Sequence, residues 1–442
     1  MGATWRLMRK SSPTPDTLAD SPPTGASDIA DPASGADLFS VVDAATWNAG
    51  VSIPKPPLGR PLKILQVSHD LRAGGLQRVV IDLAQGLKRL GHDAHICSLR
   101  GSGPLEAEIR GRGIPVWAMP WPEKGADRWM FAKVFRLLKE QRYDVIHTHN
   151  TQAFLDGGLA ALLARVPARV HTDHARAFPD KLRYMAMERV MSNFYGKVVG
   201  VSAHTVENLR RYEGISRKRL AVILNGIDGA WYRAERNRLE GLKGVAGLRH
   251  EAGLDGFKHV FGLGVRLEEQ KGIRYLLEAM PAILARHPDC ALAVAGTGSL
   301  ERELRDRAVA LGVEDNVRFL GAYPELTSFY PLIDFFVLPS LWEGLPLCLL
   351  EAMSLGLPII ATRVGGVGDL LEDGRSARLT PPMDAAALAE AVTGFLDRPE
   401  AAQELGRAAR RDFDARYDSG VMVRQYLEMY RGCLGEGSAT VS

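Results

Sequence analysis

From residue 62 onward, short apolar runs alternate with longer segments whose apolar positions recur every three or four residues, the pattern of parallel strands joined by crossing helices. KILQVSHD, DAHICSL, DVIHTHN, RVHTDH and KVVGVSA read as strands, LQRVVIDLAQGLKRL as a helix between two of them, and LAVILNGID ends the series. A second series starts near residue 258 with HVFGLGVR, ALAVAGTG, VRFLGA, DFFVLPS and PIIATRV. The pattern predicts an α/β chain of two doubly wound parallel-sheet domains whose strand ends face a shared cleft, where ligands of such sheets bind. The expected boundaries are a tail and linker over 1–60, a first domain over 61–228, a second over 229–415, a terminal helix over 416–434 that crosses back to the first domain, and a tail over 435–442. Residues 11–36, rich in Ser, Pro, Asp, Ala and Gly, have too little apolar surface to offset the entropy of ordering them.

Composition narrows the picture. A chain of 442 residues with 46% hydrophobic content can fill two cores. A net charge of +3 against 55 basic and 52 acidic residues does not make a clamp for nucleic acid, so none is expected as a partner. Cys97, Cys290, Cys348 and Cys433 are scattered, which suits neither a disulfide framework nor a zinc site and points to buried thiols in a reducing compartment. The start, MGATWRLMRK, lacks the apolar segment of a secretory signal, and no run of about 18 apolar residues occurs. A cytoplasmic location is expected, with membrane contact at most from the surface.

The stretch LPSLWEGLPLCLLEAM carries two carboxylates, Glu343 and Glu351, in apolar surroundings. DFFVLPS reads as a strand, LWEGLP as a turn with Pro346 in the first turn of the next helix, and Glu351 as a residue of its second turn. The N–H groups from Gly344 through Leu345 to Leu347 are then left unpaired at a helix tip that attracts phosphate. A phosphate ester there would lie between two hydroxyl-accepting glutamates. GVRLEEQKG sets Arg266 and Lys271 at the end of a strand, two cations able to neutralise a departing diphosphate. Gly74 and Gly75 of LRAGGLQR, and Gly296 and Gly298 of AGTGSLE, stand at strand-to-helix turns where backbone can approach a ligand, with Ser299 as a candidate cap. No dinucleotide fingerprint and no phosphate loop of the GKS type occurs.

Other charged and histidine-rich stretches carry less. HTH and HTDH place His147 and His149 on one face of a strand, but no carboxylate or cysteine completes a metal set. Asp412-Phe413-Asp414 lies in a polar helical run rather than at a strand end. No metal and no other cofactor is expected. Arg210, Arg211, Arg217, Lys218 and Arg219 form a basic stretch that suits either a solvated face or an anionic inner-membrane surface.

Taken together, Gly74-Gly75, Arg266 with Lys271, and EGLPLCLLE resemble the retaining GT-B glycosyltransferases of glycosyltransferase family 4, with LNGID, AGTGSLE, VRFLG and GLPIIATRVGG in the family's order over roughly 62–432. The resemblance implies a GT-B fold of two Rossmann-like domains, a nucleoside diphosphate sugar donor (UDP- or GDP-linked), and a glycan or lipid-linked acceptor. It implies that Glu343 lies by the donor sugar, that Glu351 binds the ribose, that Arg266 and Lys271 hold the diphosphate, and that Gly75 approaches it from the first domain. His174 matches the histidine that relatives place beside the sugar. Gly368-Asp369 stands where relatives commonly have Pro-Glu, and Gln77 where they often have Glu, which bears on sugar or acceptor preference. A GT-B epimerase or phosphorylase, or a non-catalytic nucleotide-sugar-binding protein, are the alternatives.

Overall fold

The computed structural model describes residues 60–436 except 73, 123–126, 175–180 and 324–325. The tail, most of the Pro-rich lead-in and the last residues lie outside the described residues. Seven parallel strands form the first sheet: β1 (Lys63–Ser68), β2 (Asp93–Ser98), β3 (Val116–Ala118), β4 (Val145–His149), β5 (Ala168–Asp173), β6 (Lys197–Gly200) and β7 (Leu220–Val222), in the order β3-β2-β1-β4-β5-β6-β7. Six more form the second: β8 (His259–Gly264), β9 (Cys290–Ala295), β10 (Val317–Gly321), β11 (Phe335–Leu338), β12 (Ile359–Thr362) and β13 (Arg378–Thr380), in the order β10-β9-β8-β11-β12-β13. In each sheet the order reverses once, between β1 and β4 and between β8 and β11, and the crevice of such a sheet opens at that reversal. The fold class is the one the apolar pattern predicts.

The central strands are buried along most of their length because helices cover both faces, and exposed positions such as Asp93 and Arg378 stand at strand starts. The helix Gly75–Arg89 shows the matching helical logic. Val79, Val80, Leu83, Ala84 and Leu87 are buried at three- and four-residue spacing, and Lys88 and Arg89 meet the negative end of its dipole.

Two chain segments join the sheets. After β7 the chain passes Ile227 into the long helix Gly229–Glu251, and after the helix Pro399–Arg416 it returns through Asp418 into the terminal helix Ser419–Cys433. The two segments are bonded side by side, Ile227 N–H to Tyr417 O at 3.1 Å and Ser419 N–H to Ile227 O at 2.9 Å. Met422, Val423, Tyr426, Leu427 and Tyr430 of the terminal helix are buried in one core with Ile64, Val79, Leu83 and Val170. Fully burying each such side chain contributes roughly 1.5–3 kcal/mol, so the last helix is an integral wall of the first sheet's core.

Candidate active site

The loops that follow β8, β9, β11 and β12 are knitted backbone to backbone. Val265 N–H bonds to Ala295 O at 2.9 Å, Leu267 N–H to Thr297 O at 3.0 Å, Leu341 N–H to Gln270 O at 2.8 Å and Gly366 N–H to Glu343 O at 3.3 Å. Glycine occupies the closest approaches. A Cβ at Gly272 would lie 2.1 Å from Pro339 O, at Gly296 1.9 Å from Val265 O, at Gly298 2.3 Å from Leu267 O, and at Gly365 1.9 Å from Glu343 O. Gly296 (φ +126) and Gly298 are therefore needed to seat the Arg266 loop against its neighbour. Ser299 caps nothing: the cap position belongs to Leu300, and Ser299 Oγ donates to Glu268 at 2.8 Å.

This knitting delivers Lys271 to Glu343. Lys271 Nζ lies 2.5 Å from Glu343 Oε1, Ser340 Oγ donates to the same oxygen at 2.7 Å, and Gln270 Nε2 donates to Oε2 at 3.3 Å. The side chains of Lys271 and Glu343 are 12% and 5% exposed, so this is a buried ion pair with its remaining acceptor positions hydrogen-bonded, not a solvated loop contact.

Glu351 is equally withdrawn. It is 7% exposed and receives the hydroxyl of Tyr232 at 2.8 Å on Oε1 and that of Tyr330 on Oε2. Burial pushes its carboxyl above the usual range, against the two tyrosine hydroxyls and the Arg78 guanidinium, which pull it down. The Cys348 thiol lies within the fields of Lys271, Glu343 and Glu351 together, and burial drives it up to about 12.

The helix carrying Glu351 spans Leu347–Ser354, with Pro346 as its N-cap rather than in its first turn. This shifts the expected set of free N–H groups: Pro346 has none, and the tip is formed by Leu347 and Cys348, while the Gly344 carbonyl packs against Gly366. Leu345 is buried in the core. No side chain caps this tip. The helix Gly75–Arg89 also begins without a side-chain cap, and its Gly75 comes so close that a Cβ there would lie 3.2 Å from Leu347 Cδ1. Two uncapped helix tips, one from each sheet, thus meet.

The other candidates divide. Arg266 is exposed and, among the described residues, its side chain makes no hydrogen bond or ion pair, so the structure does not join it to the Lys271–Glu343 group. Gly74 is the N-cap of its helix, and a Cβ there would lie 2.7 Å from Gln77 Oε1, whose amide donates to Asp70 at 2.8 Å. His174 belongs to a cluster at the ends of β4 and β5, with its Nε2 2.9 Å from His149 Nδ1, while His171 faces the opposite side of the sheet and stacks on Phe154. Asp412 and Asp414 lie on a helix and pair with Arg375 and Arg410.

Known proteins resemble this chain in sequence and fold. The Glycosyltransferase Family 4 model matches residues 73–231 and the Glycosyl transferases group 1 model residues 249–412. The chain is 30% identical over 325 residues to the UDP-Gal:alpha-D-GlcNAc-diphosphoundecaprenol alpha-1,3-galactosyltransferase of Escherichia coli, covering 71% of this chain and 82% of the relative. It is 27% identical to the glycogen synthase of Mycobacterium tuberculosis, over 84% of this chain and 96% of the relative. Among solved structures, HepE of Anabaena in complex with UDP and glucose superposes with a TM-score of 0.72 at 22% identity, covering 83% of this chain and 98% of that one. The fold and the matched regions together define a GT-B protein. The chain belongs to glycosyltransferase family 4 and is a glycosyltransferase.

Removing one partner of a buried pair strands the other charge. Lys271→Met should lower the free energy of unfolding by about 3 kcal/mol, and Glu343→Gln introduced into that variant should recover much of the loss. Denaturant unfolding of the two variants checks this, and a double variant no more stable than Lys271→Met contradicts the pairing.

Proposed function

We propose that the enzyme transfers a sugar, with retention of anomeric configuration and without a metal ion, from a UDP- or GDP-linked donor to a hydroxyl of a glycan or lipid-linked acceptor. The observation that carries this is the Lys271–Glu343 pair seated beside the Leu347 helix tip, across from the tip at Gly75. A diphosphate placed between the tips would receive N–H groups from both, and the Lys271 cation would be shared between Glu343 and the phosphate as charge grows on the leaving oxygen. Arg266, exposed and uncommitted, would fold onto the diphosphate when donor enters. In a same-face substitution the departing diphosphate oxygen takes the acceptor's proton, so no covalent enzyme intermediate is required. Glu343 orients hydroxyls of the sugar, and Glu351 exchanges a tyrosine partner for hydroxyls of the ribose. HepE, solved with UDP and glucose, supports a UDP-linked donor. The name of the Escherichia coli relative, with UDP-Gal and a diphosphoundecaprenol-linked acceptor, supports a lipid-linked one.

Surface chemistry agrees with peripheral membrane contact. No helix among the described residues is long and apolar enough to cross a bilayer. The helix Leu182–Ser192 exposes Leu182, Met187 and Val190, and Phe194 follows it. Its Arg189 guanidinium packs over Gly214, which brings these exposed apolar side chains near the basic stretch, where Arg210, Arg211, Arg217 and Lys218 are exposed. Cations beside apolar side chains suit an anionic lipid surface, at about 1 kcal/mol per basic residue.

Glu351→Ala should raise the donor KM roughly tenfold, the worth of about one hydrogen bond, and Arg266→Ala should lower kcat roughly a hundredfold through lost stabilisation of the leaving group. Steady-state kinetics with UDP- and GDP-sugars, with NMR of the product's anomeric centre, test both; wild-type kinetics in both variants or an inverted product contradicts the assignment. Sedimentation with anionic vesicles should fall in an Arg210→Glu, Arg217→Glu, Lys218→Glu variant, and unchanged sedimentation argues against the membrane face.

A further inference from the structure

Three side chains, two on neighbouring strands and one just beyond a third, form a continuous hydrogen-bonded chain at the reversal point of the first sheet. Gln66 lies on β1, His149 ends β4, and His174 follows β5. His149 Nε2 is 2.9 Å from Gln66 Oε1, and His149 Nδ1 is 2.9 Å from His174 Nε2. The far end is anchored in the terminal helix: Gln66 Nε2 donates to the Tyr430 hydroxyl at 3.3 Å, and that hydroxyl is 2.7 Å from His147 Nδ1. Burial holds both imidazoles of the chain neutral, lowering His149 well below its ordinary value and His174 to about 3. Each ring therefore carries one proton.

The amide decides where those protons sit. A carbonyl oxygen only accepts, so His149 must donate from Nε2, which leaves its Nδ1 as an acceptor. His174 must then donate from Nε2, which leaves Nδ1 with a bare lone pair. That atom is buried and has no hydrogen-bond partner among the described residues. A buried acceptor without a donor costs free energy that a ligand's proton can recover. The His174 backbone is tied as well, its N–H to Asn150 Oδ1 at 3.4 Å, and Asn150 holds the left-handed turn after β4 (φ +63).

We propose that Gln66 and His149 are positioning residues that hold His174 in its Nε2–H tautomer, so that its Nδ1 accepts a hydrogen bond from a hydroxyl of the bound carbohydrate. The nature of that hydroxyl rests on the transferase function proposed above; the tautomer does not. Turning the Gln66 amide end for end would reverse every bond and place a proton on His174 Nδ1, making it a donor, so the two arrangements are distinguishable.

Long-range proton–nitrogen correlation NMR of the full chain labelled with nitrogen-15 histidine, with His174 assigned through a His174→Ala variant, reads the tautomers directly. The expected result is a single His174 tautomer protonated at Nε2. Gln66→Leu, which deletes the acceptor, should give a mixture of tautomers at His149 and His174, and Gln66→Glu, which offers only acceptor oxygens, should restore the single form. A proton on His174 Nδ1 in the wild-type protein overturns the proposal, as does a Gln66→Leu spectrum identical to wild type. Should Gln66→Leu not fold, the wild-type and Gln66→Glu spectra still decide. All are recorded without nucleotide or sugar, so failure here leaves the transferase function standing, and absence of transfer leaves the tautomer result standing.

Discussion

The cleft depends on one constraint, the close backbone packing of the four loops that end β8, β9, β11 and β12. Lys271 and Glu343 are 72 residues apart in the chain, and they meet only because Gln270 O takes the Leu341 N–H and Gly272 lets the two loops touch. A side chain at Gly272, Gly296 or Gly365 would meet a carbonyl oxygen about 2 Å away, so each glycine is fixed by geometry rather than by ligand contact. The ion pair in turn orients the carboxylate that the proposed chemistry places beside the sugar, with Ser340 and Gln270 saturating it.

The two sheets contribute unlike parts. The second supplies charge, in Lys271 and Glu343, and the buried Glu351 between two tyrosines. The first supplies an uncapped helix tip at Gly75 and a neutral histidine chain ending at His174. Neither half is sufficient for a reaction that must hold a diphosphate and orient a hydroxyl at once. Their union rests on the paired crossings at Ile227 and Asp418, and on a terminal helix whose Tyr430 reaches the Gln66 amide. A segment remote in sequence therefore reaches the histidine chain of the first sheet through hydrogen bonds.

Much of this was legible in the chain. Apolar runs bounded by turn residues identified the main strands, because a strand covered on both faces is mostly apolar. The edge strands β3 and β13 escaped notice because each is only three residues long and, unlike the equally short β7 in LAVIL, lies in no comparably long run of apolar residues free of proline. The burial of Glu343 and Glu351 could be inferred from their apolar neighbours, but their partners could not. Tyr232 and Tyr330 precede Glu351 by 119 and 21 residues and carry no local mark. Gln66 sits in an ordinary strand pattern, where a single polar residue signals nothing until β4 is laid beside it. The exact helix start also lay beyond sequence, since proline fits both an N-cap and a first turn.

The central claim is that an activated sugar is gripped by its diphosphate between two helix tips, beside the Lys271–Glu343 pair. A crystal structure with UDP or GDP, whichever raises the melting temperature of the protein, tests it most directly. The account predicts both phosphates between Gly75 and Leu347 with the Lys271 ammonium in contact. A diphosphate bound elsewhere, with Lys271 and Glu343 undisturbed and distant from it, would contradict it.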